Sequence, residues 1–158
     1  MHTSRSLKRL GIFAGGMMAF AVVWLAARPG TAVSGRTEIR GHLSLVLPPG
    51  SRHYADVGID TWVGRIRLGG TPVTLTYDIG HVAGNYATYV DGNGPFVWTK
   101  RTEQDGIACD VSLHTANGSH TLFVSFPDLG PANFWCDVRD DSQVDGILKI
   151  LKTVRPAR

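Results

Sequence analysis

The chain has 158 residues, 43% of them apolar and 18% charged, which is typical of a single globular domain. Its formal net charge of +3 comes from residues 1–34, which hold four of the 16 basic residues and no acidic residue. The remainder has 12 basic and 13 acidic residues, and therefore a net charge of −1. This balance, with no Lys/Arg run in the remainder, excludes a nucleic-acid-binding domain, which needs a basic patch.

The amino terminus has the layout of an export signal. Arg5, Lys8 and Arg9 precede an uncharged run over residues 10–27, and Pro29-Gly30 then ends any helix. Small residues at positions 32–34 predict cleavage before Gly35. We therefore expect a signal peptide over residues 1–34 and one globular domain over residues 35–158.

The alternative is an uncleaved membrane anchor. The apolar run has 18 residues, the lower limit for a helix that crosses a bilayer. In either case the basic end stays in the cytoplasm and the domain crosses the cytoplasmic membrane. The expected location is the periplasm or the exterior of a bacterial cell, with membrane contact only through residues 10–27.

Five segments with period-two alternation of apolar residues predict strands. Pro48-Pro49-Gly50 is expected to stop the first strand, and Gly69-Gly70 and Asp105-Gly106 are expected to form turns. Residues 80–95, rich in Gly and Asn, predict a loop. The five strands are 42–47, 61–68, 73–79, 96–102 and 107–115.

The register of the next strands follows from Asn117-Gly118, a strong hairpin signal. A two-residue turn there places Leu113 opposite Leu122 and Val111 opposite Val124. A second turn over residues 127–131 brings back a strand over 133–138, with Val124 opposite Phe134 and Leu122 opposite Cys136. One face of this three-stranded meander then carries nearly all the apolar side chains, and a slip by one residue would scatter them.

The chain is expected to close with a helix. Ser142 and Asp145 resemble a capping box, and Pro156 is expected to stop the helix. Its apolar stripe needs a partner, which the meander supplies. The fold class is therefore α+β: a mainly antiparallel sheet with a carboxy-terminal helix packed on one face, and an α/β/α sandwich as the more elaborate form. The stripe consists of Val144, Ile147, Leu148, Leu151 and Val154.

Three segments carry a resemblance to a known family: HLSLVLPPG at 42–50, GIDTWVGRI at 58–66 and ANFWCDVRDDSQVDGILKILKTVRP at 132–156. Through strand order and the closing strand–helix unit, the chain resembles the small exported PsbP-like domains of bacteria and plastids. The resemblance implies an antiparallel sheet sandwiched by helices and a non-enzymatic accessory, assembly or binding role. It transfers no functional residue.

Cys109 and Cys136 raise the question of a disulfide, because exported proteins meet an oxidising compartment. The register puts both on one face, but on strands separated by a third and offset by four residues. Their separation then exceeds the roughly 7 Å between Cα atoms that a disulfide allows. Two buried free thiols are favoured, and a disulfide is the alternative if the last strand pairs differently.

No catalytic or metal motif is present in the sequence, so we predict no catalytic residue, no metal site and no cofactor. Asp78 and His81 form the one polar pairing of interest, at a strand end that leads into the loop. No third ligand lies within sequence reach for a metal. A polar strand end beside a solvated loop is the simpler interpretation.

Aromatic residues supply the remaining candidates for ligand binding. The register places Phe123 and Trp135 opposite each other on the face away from the core, and Tyr86 and Tyr89 lie in the loop. Such side chains stack on sugars or anchor a partner. A second layer covering them is the favoured alternative.

The sequence thus predicts an exported, non-catalytic binding or accessory domain of the cell envelope, with an unidentified ligand or envelope protein partner. The first alternative is an envelope hydrolase with a site near Asp78 and His81. The second is a membrane-tethered structural or assembly protein.

Overall fold

The computed structural model describes residues 29–157, except for residues 57, 81–82 and 89–94. The predicted targeting segment therefore lies almost entirely outside the described residues, as do His81 and Tyr89. The described part holds nine strands and one helix. In chain order these are β1 Thr31–Ile39, β2 Leu43–Ala55, β3 Trp62–Arg67, β4 Thr74–Ile79, β5 Phe96–Gln104, β6 Ile107–Ala116, β7 Ser119–Phe126, β8 Ala132–Val138, α1 Asp141–Leu151 and β9 Arg155–Pro156.

The described strands form a single sheet in the order β1-β2-β3-β4-β8-β7-β6-β5, with β9 paired to β2. Each neighbouring pair is antiparallel. The fold class predicted from the sequence, an α+β antiparallel sheet with a carboxy-terminal helix, is confirmed.

The predicted register of the meander is confirmed. Leu113 pairs with Leu122 and Val111 with Val124. Val124 pairs with Phe134 and Leu122 with Cys136. The turn between β6 and β7 has Asn117 and Gly118 at positive φ, 52° and 78°, which is the backbone geometry that this dipeptide favours.

The predicted end of the first strand at Pro48-Pro49-Gly50 is wrong, since β2 continues to Ala55. The ladder with β1 is interrupted here: Leu47 pairs with Gly35 and Ser51 with Val33, and the register shifts between them. The two prolines therefore lie where no ladder hydrogen bond is needed, so their missing N–H groups cost nothing. They bend the strand instead of ending it.

Strands β1 and β9 were not predicted. In β1 most side chains are exposed, and only Ile39 is fully buried, so the sequence carries little alternation. Strand β9 consists of Arg155 and Pro156, which pair with Ser44 and Leu43. The residue expected to stop the helix is thus part of a strand, and the helix already ends at Leu151.

Helix α1 begins two residues earlier than the predicted capping box implies. Asp140 is the N-cap, and its carboxylate accepts hydrogen bonds from Gln143 N at 3.0 Å and Ser142 Oγ at 2.6 Å. A cap at Ser142 is therefore wrong: Ser142 donates to the capping carboxylate. Val144, Ile147 and Leu151 are buried as the stripe predicts.

The two faces of the sheet differ in what covers them. On one face α1 contacts β2 and β8, and the apolar core lies between helix and sheet. On the other face lies the described part of the loop, Ala83–Thr88, hydrogen-bonded to polar side chains of β6, β7 and β8. The buried hydrophobic residues of the described part all lie between Ile39 and Val154.

Candidate functional site

A row of polar side chains crosses five strands on the loop-covered face. The strand pairings place Arg101 beside Asp110, Asp110 beside Ser125, Ser125 beside Asn133, and Asn133 beside Asp78. Successive residues of a strand point to opposite faces of the sheet, so the residues of this polar row alternate along each strand with residues of the apolar face. Asp110, Ser125, Asn133 and Asp78 are all buried, although such groups are seldom buried without partners.

The loop supplies those partners. Asn85 Nδ2 donates to Asp110 Oδ2 at 2.8 Å, and Ala87 N donates to Ser125 Oγ at 3.0 Å. Asn133 Oδ1 accepts from Tyr86 N at 3.1 Å and from Ser125 Oγ at 2.7 Å. The row and the loop therefore satisfy most of each other's hydrogen-bonding groups, although Asp78 Oδ1 and Asn85 Oδ1 are buried with no hydrogen-bond partner among the described residues.

Asp78 and Tyr86, both predicted as ligand-binding residues, are brought together. Tyr86 Oη donates to Asp78 Oδ2 at 2.6 Å. Partial burial, then this hydrogen bond and the negative charge of Asp78, raise the pKa of Tyr86 to about 12. Asp78 is only 7% exposed, and its other oxygen, Oδ1, is buried with no partner among the described residues. The pair fastens the loop to the end of β4.

Phe123 and Trp135 pair across β7 and β8, as predicted, and both are covered. Phe123 is buried, with its ring centroid 4.9 Å from that of His114. Trp135 is half-buried, and its ring centroid lies 5.5 Å from that of Tyr86. The loop residue Tyr86 contacts Trp135, whereas Phe123 packs against His114 of β6 and is not an open stacking platform.

A serine and a histidine form a further polar contact that the sequence did not suggest. Ser112 Oγ lies 2.9 Å from His114 Nε2, the spacing of a nucleophile and its base. Both residues are 0% exposed, and the imidazole lies between the rings of Phe96 and Phe123. Because no substrate can reach the hydroxyl, the contact is a structural hydrogen bond.

The two cysteines are free and buried. Burial, with a smaller effect from the adjacent carboxylates Asp110 and Asp137, raises the pKa of both thiols to about 12. The reactive form of cysteine is the thiolate. Neither thiol is therefore a nucleophile near neutral pH, and both pack as small apolar side chains.

A cavity of about 280 Å³ opens between α1 and the sheet, which we call the helix–sheet cavity. Its floor is apolar and is formed by β6 and β7. One wall comes from β5, and the other from α1 and the segment that follows it. The lining residues are Trp98, Lys100, Thr102, Ile107, Cys109, Val111, Val124, Phe126, Asp145, Leu148, Leu151, Lys152, Val154 and Arg155.

The cavity exists because of where the helix docks. Helix α1 contacts β2 and β8, so no other element of the described residues covers part of the apolar face of β5, β6 and β7. Three larger hollows in the described part, of about 400, 520 and 660 Å³, are more open to solvent. The helix–sheet cavity is the more enclosed one and has the apolar floor that small-molecule sites share.

Charged groups surround the mouth of the cavity. Lys100 on β5 and Lys152 after α1 are exposed, Arg155 is half-buried, and Asp145 is the one acid in the lining. The charges of these four residues sum to +2. An apolar floor below a cationic rim favours a ligand with an apolar body and a negative end.

One end of the cavity is closed by an ion pair. Arg155 Nη2 contacts Asp105 Oδ2 in the turn between β5 and β6. Arg155 Nη1 also donates to the carbonyl oxygens of Val154, at 2.6 Å, and Lys152, at 3.1 Å. The pair joins the segment after α1 to the β5–β6 hairpin, which forms the opposite wall.

Sequence reasoning missed this cavity, although a signal was present. Trp98, Lys100 and Thr102 alternate toward the core face of β5, and an inward row that contains a lysine cannot pack as a dry core. Asp145, Leu148 and Lys152 stand at helical spacing on the same side of α1. A row that contains both apolar and charged side chains on each of the two facing elements predicts a solvent-accessible gap between them.

Two searches of the described residues gave negative results. None of their helices is long and apolar enough to cross a membrane, and they contain no cluster of three or more His, Cys, Asp or Glu residues able to hold a metal ion. Comparison of the chain with protein-family models, curated proteins and solved structures found no match.

Proposed function

We propose that the chain is an exported, non-catalytic binding domain of the cell envelope that takes its ligand into the helix–sheet cavity. The observation that carries the proposal is the cavity itself, in which an apolar floor lies under a rim of three cations and one acid. Its volume of about 280 Å³ is close to the lower limit of about 300 Å³ for small-molecule sites.

The chemistry of the described residues supports binding over catalysis. The one thiol in the cavity, that of Cys109, has its pKa raised to about 12, so it stays protonated. The Ser112–His114 contact is fully buried, and in the Asp78–Tyr86 contact the carboxylate is buried while the tyrosine is half-buried. An envelope hydrolase that uses Asp78 and His81 is therefore the less favoured function.

The proposal also covers the predicted export, cellular location and architecture of the protein. The proposal includes export through residues 1–34 and a location in the envelope, and the strand-rich domain with its terminal helix supports the PsbP-like resemblance in part. A full α/β/α sandwich would need a second helical layer on the face where loop residues 83–88 lie. A membrane-tethered assembly role remains the second function, and retention of residues 10–27 in the exported protein would favour it.

A thermal-shift screen tests the binding role. The exported protein, as recovered from an expression host, would be screened against divalent cations, glycans, peptides and single-chain lipids. A ligand present at one hundred times its dissociation constant stabilises by about 2.7 kcal/mol, which raises the Tm by several degrees in a domain of this size.

Two variants locate the site. Val111→Phe places an aromatic ring in the cavity and should remove the ligand-induced shift. Leu113→Phe adds the same ring two residues further along the same face of β6, outside the cavity lining, and should keep the shift. Product turnover that disappears in Asp78→Asn would contradict the proposal and support the hydrolase.

A further inference from the structure

The walls of the helix–sheet cavity specify a ligand with two unlike ends. Below the rim, none of the lining side chains of β6 and β7 can hydrogen-bond strongly or carry charge near neutral pH: Ile107, Cys109, Val111, Val124 and Phe126. A sugar or a free ion would leave its polar groups unpaired against this floor, which is costly. The buried end of the ligand is therefore a hydrocarbon chain.

The rim specifies the other end. Lys100 and Lys152 stand on opposite walls, one on β5 and the other just after α1. Arg155 adds a third positive charge, which its ion pair with Asp105 offsets, and Asp145 is the one acid among the lining residues. A cationic head group would meet repulsion from both walls, whereas a carboxylate or phosphate would be attracted by both.

We propose that, given the binding role above, the helix–sheet cavity takes a single-chain amphipath with an anionic head group, held between Lys100 and Lys152 with its chain over Val111 and Val124. A free fatty acid and a single-chain phosphate lipid share this chemistry. Because a water molecule occupies about 30 Å³ and a methylene group is of similar size, the cavity of about 280 Å³ accepts a chain of about nine carbons.

Photocrosslinking of the exported protein, as recovered from the envelope, tests this inference. Four probes with ten-carbon chains and a terminal diazirine differ only in the head group: carboxylate, phosphate, trimethylammonium and alcohol. Mass spectrometry then locates the adducts, which separates labelling in the cavity from labelling of residues 10–27. We expect the two anionic probes to label peptides containing Val111 and Val124, and the trimethylammonium probe to bind at least about tenfold more weakly.

Lysine variants report on the head group directly. Lys100→Gln and Lys152→Gln should each lower affinity for the anionic probes by about fivefold and leave affinity for the alcohol unchanged. Lys149→Gln is the matched control, since Lys149 is exposed on the same helix but does not line the cavity. Equal losses for the alcohol would overturn the assigned role of the two lysines.

Chain length gives an independent readout. Affinity should rise about fourfold for each added methylene group and stop rising near the length that fills the cavity. Comparison of the carboxylate and phosphate probes then identifies the head group: a preference for one names it, and equal binding shows that charge alone is recognised.

The outcomes separate this inference from the binding role. Equal cavity labelling by all four probes, lost in Val111→Phe, would overturn the anionic head group and leave the binding role intact. A preference for trimethylammonium, or anionic labelling only outside the cavity, would also overturn the inference. Absence of cavity labelling by every probe, together with a blank thermal-shift screen, would contradict both.

Discussion

The buried thiols of Cys109 and Cys136 couple the stability of this protein to pH. Both thiols lie on the apolar face, 8% and 3% exposed. Desolvation raises their pKa to about 12, whereas an unfolded thiol ionises near pH 9. Between these values the unfolded chain releases protons that the folded chain keeps, so stability falls as pH rises.

We therefore expect the free energy of unfolding to be level from pH 7 to about 8.5 and then to fall by about 1.4 kcal/mol per pH unit for each thiol. Urea denaturation in the presence of a reductant at pH 7, 9 and 10 measures this. Tyr77 and Tyr86, whose pKa values are raised to about 12, add to the loss only above pH 10.

The control is the double variant Cys109→Ala and Cys136→Ala. It should start from a lower stability, because two core side chains are truncated, but should lose less stability between pH 9 and pH 10. Parallel curves for the two proteins would show that the thiols are not the source of the alkaline loss.

Among the structural elements, β2 depends most on its neighbours. Its bend at Pro48–Gly50 lies against the turn between β3 and β4, where a Cβ on Gly69 would collide with the carbonyl oxygen of Pro49. Ser51 Oγ holds the contact from both sides, since it donates to Pro48 O at 2.7 Å and accepts from Gly69 N at 3.0 Å. The bend and the turn thus form one packed unit.

Gly69→Ala is expected to lower the free energy of unfolding by about 2–4 kcal/mol, because a backbone atom cannot yield as a flexible side chain does. Gly70→Ala is the matched control: its Cβ would meet nothing within 4 Å, but its φ of 75° is unfavourable for alanine. That variant should lose only about 1 kcal/mol. Thermal and urea unfolding of both variants measure the difference, and equal losses would refute close packing at the bend.

The same elements show which parts of the fold the sequence could predict. The meander register was predictable because a slip by one residue moves every apolar side chain to the wrong face. The continuation of β2 was not, since Pro48 and Pro49 are tolerated only through the interrupted ladder with β1. Strand β1 itself lacks the alternation that marks a strand with one buried face.

The candidate site was harder to predict than the strands. Asp78 and Tyr86 were named from the sequence as separate candidates, Asp78 with His81 and Tyr86 among the loop aromatics, and their contact was not predicted. Its role in fastening the loop depends on Asn133 and Ser125, which are distant in sequence. The helix–sheet cavity depends on the docking position of α1 over β2 and β8. The apolar stripe of the helix shows which side faces the sheet but does not determine which strands the helix packs on.

For the molecule as a whole, the amino-terminal boundary matters most. Strand β1 begins at Thr31 and pairs Thr31, Ala32 and Val33 with residues of β2, whereas the sequence predicts cleavage before Gly35. A protein that starts at Gly35 would lack these three pairings and the half-buried side chain of Val33, which packs against the core.

We expect a form that starts at Gly35 to be less stable than one that starts at Pro29 by about 2 kcal/mol. Differential scanning calorimetry of the two forms measures the loss, and amino-terminal sequencing of the exported protein shows which form occurs. Identical melting temperatures would show that the outer part of β1 contributes nothing to stability.

If the protein is exported as proposed, the position of β1 sets an order of events for the predicted cleavage before Gly35. A peptidase must hold its substrate extended and unpaired, and within the sheet residues 31–33 already have a partner strand. Cleavage before Gly35 is therefore open only while β2 has not yet paired with them. Under the proposed export, folding beyond the membrane and removal of residues 1–34 would compete for the same few residues, so a faster-folding variant should retain residues 1–34 more often.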